Sequence, residues 1–250
     1  MIKINNIIYY FLILLLLLSI LSLCKSNFNG AERSEIVFIT GCSSGIGLAT
    51  ALYLANHPSK LFKVYASMRS TDYWKGKGQY HDKKSLETIE CDVTSDDSVK
   101  KAIDYIIKKE GHISVVINNA GYGISGCLEQ VSIEEAKKLF DVNVWGAVRV
   151  LQATLPHMRK LSKGYIINIS STSGIRGIPC FEYYTSSKFA LEGFSDSMRY
   201  SLAHFNISVT NLNAGPIKTQ FTDKFGNVDK GGKGTKEVEG IIIIIIIIKL

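Results

Sequence analysis

Glu35-Ile36-Val37-Phe38-Ile39-Thr40-Gly41-Cys42-Ser43-Ser44-Gly45-Ile46-Gly47 is the stretch from which the fold is read. Its first six residues form a short apolar run ending at a glycine, the pattern of a buried strand. From Ile46 to Asn56 apolar residues recur at helical spacing, and Pro58 follows shortly after. Strand, glycine-rich turn and helix thus succeed one another within about two dozen residues. Glycines let a backbone approach a pyrophosphate, and a helix N-terminus favours its charge. The spacing is G-x-x-x-G-x-G rather than G-x-G-x-x-G. A Walker-type loop needs Gly-Lys-Ser/Thr at its end, and Ile46-Gly47-Leu48 stands there instead, which disfavours an NTPase.

The same alternation continues down the chain. Phe62 to Ala66, Leu86 to Glu90, Ile113 to Asn118, Tyr165 to Ser170 and Ile207 to Leu212 read as five further strands. Ser95 to Glu110 reads as a helix with Ser95 as its N-cap, and Tyr184 to Phe205 as another. Ile133 to Leu161 carries one long helical periodicity with Gly146 inside it, and Thr71 to Ser85 reads as a polar loop. Continuous apolar strands alternating with helices predict an α/β, Rossmann-like, doubly wound parallel sheet in a single domain. Ligands then bind at the carboxyl ends of the strands. Gly41 to Gly47, Arg69, Asp92, Asn118 to Gly121, Ser170-Ser171 and Gly215 to Thr219 all fall at those ends.

Arg69 closes the second strand. An NAD-binding chain usually has an acid at that edge for the ribose 2′-hydroxyl, whereas a guanidinium suits a 2′-phosphate. The expectation is NADP(H) in preference to NAD(H). Tyr184 and Lys188 lie at i and i+4 and share a helix face, thirteen residues after Ser171. An ammonium beside a phenol lowers its pKa from about 10, giving an acid/base usable near neutral pH. A serine reaching the same point can hydrogen-bond a substrate oxygen. Alone, Tyr-x-x-x-Lys suits a solvated helix face better; Ser171 upstream, Asn143 and the cofactor loops at the same sheet edge are what single it out.

With 250 residues, 46% hydrophobic and 20% charged, the chain supports one sizeable packed domain. Its net charge of +7 comes from scattered pairs such as Lys83-Lys84 and Lys137-Lys138 with acids nearby. They read as solvated faces, so no nucleic-acid partner is expected. No zinc-type spacing of Cys and His occurs, so no metal is expected. The cysteines at 24, 42, 91, 127 and 180 are odd in number and widely spaced, and read as small buried hydrophobes rather than a disulfide framework.

The ends differ from the middle. Residues 7–24, IIYYFLILLLLLSILSLC, carry no charge, and residues 1–24 read as a signal peptide or a membrane anchor. Either directs the chain to the endoplasmic reticulum or another endomembrane. Residues 25–34 form a polar linker, and the domain spans 35–225. Of two N-glycosylation sequons, Asn168-Ile169-Ser170 lies in a predicted central strand where a glycan has no room, which favours a cytosol-facing domain. Residues 226–250, ending in eight consecutive isoleucines before Lys249-Leu250, read as a low-complexity or truncated tail.

Taken together these motifs resemble the short-chain dehydrogenase/reductase family over residues 36 to about 222. They are Thr40-Gly41-x-x-x-Gly45-Ile46-Gly47, Asp92-Val93, Asn118-Asn119-Ala120-Gly121, Asn143, Ser171, Tyr184-x-x-x-Lys188 and Gly215-Pro216-x-x-Thr219. Within the family the chain is most similar to the estradiol 17-beta-hydroxysteroid dehydrogenases and photoreceptor-type retinol dehydrogenases, in TGCSSGIGL, KVYASMRS, SKFALEGFSDS and AGPIKTQF. The resemblance implies Tyr184 as acid/base, Lys188 as its pKa-lowering partner and ribose ligand, Ser171 holding the substrate oxygen, and Asn143 positioning a relay water. It implies Gly41, Ser43, Ser44, Gly45, Ile46 and Gly47 around the pyrophosphate, Asp92 and Val93 at adenine, Asn119, Ala120 and Gly121 as cofactor floor, Thr219 at the nicotinamide amide or the pyrophosphate, and Pro216 as a further cofactor contact. It also implies a small hydrophobic substrate, steroid- or retinoid-like, and admits a homodimer. Other readings are a reductase of another small carbonyl and a truncated, inactive nucleotide-binding protein. Tyr183 is out of register, since Ser187 lies four on, and is expected to pack or line a pocket.

Overall fold

The computed structural model describes residues 34–74, 84–215 and 247–249. Among the described residues seven strands form one sheet in the order β3-β2-β1-β4-β5-β6-β7. They are β1 (Glu35–Ile39), β2 (Phe62–Met68), β3 (Leu86–Glu90), β4 (Val115–Asn118), β5 (Gly164–Ser171), β6 (Ile207–Ala214) and β7 (Ile247–Lys249). The first six are mutually parallel. β7 lies within the tail and pairs antiparallel with β6, Ile248 opposite Leu212. Because β1 lies between β2 and β4, the winding reverses there, and a crevice opens at the carboxyl ends of β1 and β4.

Every residue of β1 is buried because both sheet faces are covered. Val37 and Ile39 join one core with Leu54, Val64, Ile117 and Ile167, under α1 (Gly45–Ala55). Ile36 and Phe38 join the other with Ile103, Ile106, Val116 and Leu151, under α2 (Asp96–Glu110) and the helix at 146–161. α2 starts as expected, with the Ser95 hydroxyl accepting from Ser98 N at 3.2 Å.

The single helix expected over 133–161 is broken. α3 (Ile133–Phe140), opened by a reciprocal Ser132/Glu135 capping box, runs into one π turn (Asp141–Trp145), and α4 (Gly146–Leu161) follows. In the π turn Gly146 N donates to Asp141 O, one residue beyond α-helical register. Two forces hold the break. Arg149 donates to Asp141 O at 3.3 Å and pairs with the Asp141 and Asp96 carboxylates, both at 2.7 Å. Gly146 also lets Val93 press against the helix: a Cβ there would stand 2.8 Å from Val93 Cγ2. α5 (Glu182–Ala203) closes the fold against β6.

The cysteine expectation holds for two residues and fails for two. Cys42 and Cys91 are buried, and burial pushes the Cys91 thiol up to about 12. Cys127 and Cys180 are only half-buried and their sulfurs meet. Residues 1–33, with the expected apolar leader and linker, lie outside the described residues, as do Pro216, Thr219 and most of the tail. Among the described residues no helix is long and apolar enough to cross a membrane.

Candidate active site

The turn after β1 is fixed by side chains from the loop after β4. Thr40 Oγ1 accepts from Asn119 N at 3.0 Å and Ala120 N at 2.9 Å. Asn119 Nδ2 donates back to Thr40 O at 2.8 Å and Gly41 O at 3.1 Å. Gly41 (φ +72) and Gly45 (φ +61) take left-handed conformations open mainly to glycine. Gly47 is required by closeness, since its Cβ would stand 2.3 Å from Asn119 Nδ2 and 2.6 Å from Gly41 O. Trp74, from the 3-10 turn Thr71–Trp74, donates to Cys42 O at 3.1 Å and braces the same turn. The N-terminus of α1 at Ser44 carries no side-chain cap and no acid in its first turn. Such an end fits a pyrophosphate, whose oxygens take helix N–H groups that a capping side chain would otherwise occupy.

Arg69 is exposed just past the end of β2, as its position in the sequence implied. Its charge reaches Asp92 at the end of β3. Burial works to raise the Asp92 carboxyl, but hydrogen bonds from Thr94 and the charges of Arg69 and Arg149 outweigh it and hold the group below its ordinary range. Val93 is buried and packs on Gly146, with its carbonyl accepting from Arg149 at 3.2 Å. The chain therefore gives Val93 a packing role beside any contact with a nucleotide.

Ser171 ends β5 and Tyr184 lies in the first turn of α5; both are buried and their side chains hydrogen-bond. Ser171 Oγ also accepts from Ser173 N at 3.1 Å, which fixes the hydroxyl. One turn on, the Lys188 ammonium lies 5.8 Å from the Tyr184 ring centroid and donates to Ile169 O at 2.8 Å. The structure corrects the expected electrostatics. Burial pushes the Tyr184 phenol up to about 12, with the Ser171 hydrogen bond working against it. Burial also pulls Lys188 down to about 8, resisted by the Glu192 carboxylate. Desolvation of both groups thus outweighs the help that an ammonium gives a phenolate.

Asn143 sits in the π turn, 2% exposed, with its side chain fully engaged. Oδ1 accepts from Tyr122 N at 3.0 Å; Nδ2 donates to Tyr122 O at 2.9 Å and to Ser187 Oγ at 3.1 Å. Ser187 in turn donates to Tyr184 O at 2.7 Å. Asn143 thereby ties the loop after β4 to the tyrosine helix, and Gly121 packs against its Oδ1.

Beneath this lies a polar layer that the sequence reading missed. Glu192, buried, accepts from Asn211 Nδ2 at 2.8 Å and Asn213 Nδ2 at 2.6 Å. Asn168 donates to Ser195 Oγ at 2.8 Å and accepts from Asn118 at 2.9 Å. Its full burial agrees with the expectation that the first sequon has no room for a glycan. The signal was present: Tyr184, Lys188, Glu192 and Ser195, at steps of four, four and three, continue one helix stripe. Tyr183 lies apart, lining a surface hollow with Ile133, Phe140 and Trp145.

Comparison with known proteins agrees with this geometry. The short chain dehydrogenase family model matches residues 35–229. Human retinol dehydrogenase 8 is 40% identical over 201 residues, 78% of this chain and 62% of that protein. Human 17-beta-hydroxysteroid dehydrogenase type 1 is 39% identical over 197 residues, 76% of this chain and 58% of that protein. The chain thus spans about three fifths of the length of these relatives. The solved structure of ElxO with NADP bound superposes with a TM-score of 0.71 at 30% identity, covering 77% of each chain.

Proposed function

The chain belongs to the short-chain dehydrogenase family, and from that premise we propose that it is an NADP(H)-dependent oxidoreductase interconverting an alcohol and a ketone or aldehyde on an apolar, steroid- or retinoid-like substrate. The observation that carries this reading is the hydrogen-bonded pair Ser171–Tyr184 with Lys188 one turn below it. In the reducing direction Tyr184 gives its phenolic proton to the carbonyl oxygen while the Ser171 hydroxyl hydrogen-bonds that oxygen. The Lys188 ammonium, held by Ile169 O, stabilises the phenolate that forms. Oxidation runs these proton movements backwards. A bound nicotinamide cofactor supplies or accepts the hydride.

Gly41 to Gly47 and the uncapped start of α1 suit the pyrophosphate, and Asn119 to Gly121 the floor beneath it. Arg69 at the β2 edge supports a 2′-phosphate, as does the NADP in the related ElxO structure. The names of the relatives, a retinol and a steroid dehydrogenase, support an apolar substrate. The uncharged run 7–24 supports attachment to an endomembrane. Exposed Ile133 and Trp145 around the hollow lined by α3, the π turn and α5, with Phe189 also exposed on α5, support a homodimer.

The test is turnover of NADPH and of NADH with retinal, ketosteroids and simple carbonyls, by the wild type and by Tyr184→Phe. Tyr184→Phe is expected to lose about 10²–10⁴-fold in kcat. A folded, NADPH-binding protein that reduces no carbonyl sinks the enzyme reading. Preference for NADH removes the role given to Arg69, and equal use of every simple carbonyl moves the chain to a general reductase.

A further inference from the structure

Cys127 and Cys180 take no part in the site described above. Cys127 lies in the turn leading into α3, and Cys180 four residues before Tyr184. Their Sγ atoms are 2.7 Å apart across 53 residues of chain. Only about 0.7 Å of closure separates them from a disulfide bond.

The backbone holds the two loops in register at this point. Gly126 N donates to Cys180 O at 2.7 Å. Cys127 N donates to Gln130 Oε1 at 2.9 Å, and Gln130 N returns a hydrogen bond to Cys127 O at 2.8 Å. Cys180 N donates to Glu182 Oε1 at 3.2 Å. Cys180 has φ +58, a left-handed conformation uncommon for a residue with a side chain. Both cysteines are half-buried, within reach of a small reagent, whereas Cys42 and Cys91 are sealed in the core.

We propose that Cys127 and Cys180 are a disulfide-forming pair that staples the wall after β4 to the loop feeding the Tyr184 helix. The oxidant is a small disulfide of the glutathione type. One cysteine thiolate attacks a sulfur of that disulfide, breaking its S–S bond and releasing one glutathione thiolate. The second cysteine thiolate then displaces the other glutathione and forms the Cys127–Cys180 bond. Two S–H bonds are lost from the protein and two thiols are formed on the reagent, so electrons and protons balance. The hydrogen bond to Cys180, burial, and the Glu129 and Glu182 carboxylates push Cys127 up to about 11. Thiolate is therefore scarce at neutral pH, and the exchange is slow.

The experiment uses the full chain, reduced and then equilibrated with oxidised glutathione under native conditions. Remaining thiols are alkylated and the peptides mapped by mass spectrometry without reduction. The expected result is a cross-link joining the Cys127 and Cys180 peptides. The thermal midpoint is expected to rise by about 5–10 °C and to fall back on reduction with a phosphine. Cys127→Ser and Cys180→Ser should each keep a glutathione adduct on the remaining partner and show no such rise. Separate adducts on both cysteines, free thiols at both after equilibration, or a cross-link to any other cysteine overturns the proposal. Mapping the wild type decides the matter even where a serine variant fails to fold.

Discussion

The titration of Lys188 is where single-residue chemistry meets activity. Its ammonium loses a proton near pH 8, while Tyr184, pushed up to about 12, stays protonated throughout that range. For carbonyl reduction, kcat/KM is therefore expected to fall as pH rises through about 8, following the loss of the Lys188 charge. Glu192 opposes that loss from the next helical turn, with its carboxylate fixed by Asn211 and Asn213. Glu192→Gln should move the falling limb to lower pH, read from a kcat/KM profile over pH 6–10. A limb that stays in place separates Glu192 from the lysine. At Gly47 the effect is steric. Gly47→Ala puts a methyl group 2.6 Å from a backbone oxygen that cannot swing away. It should cost about 1–3 kcal/mol in urea unfolding and weaken NADPH binding more than tenfold. An alanine variant of wild-type stability would show that the turn can relax.

Among elements, the π turn is the one the sequence concealed. Apolar spacing runs unbroken from Ile133 to Leu161, and an extra residue in one turn leaves that periodicity almost untouched. The determinants are long-range: Arg149 reaching Asp96, and Val93 seated on Gly146. Gly146→Ala brings a Cβ to 2.8 Å from Val93 Cγ2. It is expected to destabilise by about 1–2 kcal/mol despite the better helix propensity of alanine. Adding Val93→Ala should recover part of that loss in a double-mutant cycle, and strict additivity would refute the contact. The strands were legible because each is a continuous apolar run. β3 matches residue for residue, while β2, β5 and β6 run further toward their carboxyl ends than read. Three of those five extra residues, Ser67, Ser171 and Asn213, are polar though buried, and in sequence they look like loop.

For the molecule as a whole, parallel order brought nearly every suspected residue to one edge, as strand–helix alternation implied. Tyr184, Lys188, Ser171 and the glycine turn were readable because their chemistry is local or periodic. The place of Glu192 on the Tyr184 stripe was legible, but its Asn211 and Asn213 partners and the Cys127–Cys180 contact were not, because only tertiary folding brings them near. The proposed homodimer is tested on the same scale. Sedimentation of wild type should give a dimer, and Trp145→Glu with Phe189→Glu a folded monomer; a monomeric wild type removes that assembly from the reading.

The place of β1 also bears on how the chain is made. Strand β1 emerges early and finds β2 soon after, but its other neighbour, β4, begins only at Val115. At ribosomal rates of about 5–20 residues per second, one edge of a strand that is apolar from Ile36 to Ile39 stands open for several seconds. During that interval the nascent chain offers a ready template for pairing with another strand. Its yield in cells should therefore depend on how fast residues 69–118 are translated and on which chaperone meets them first.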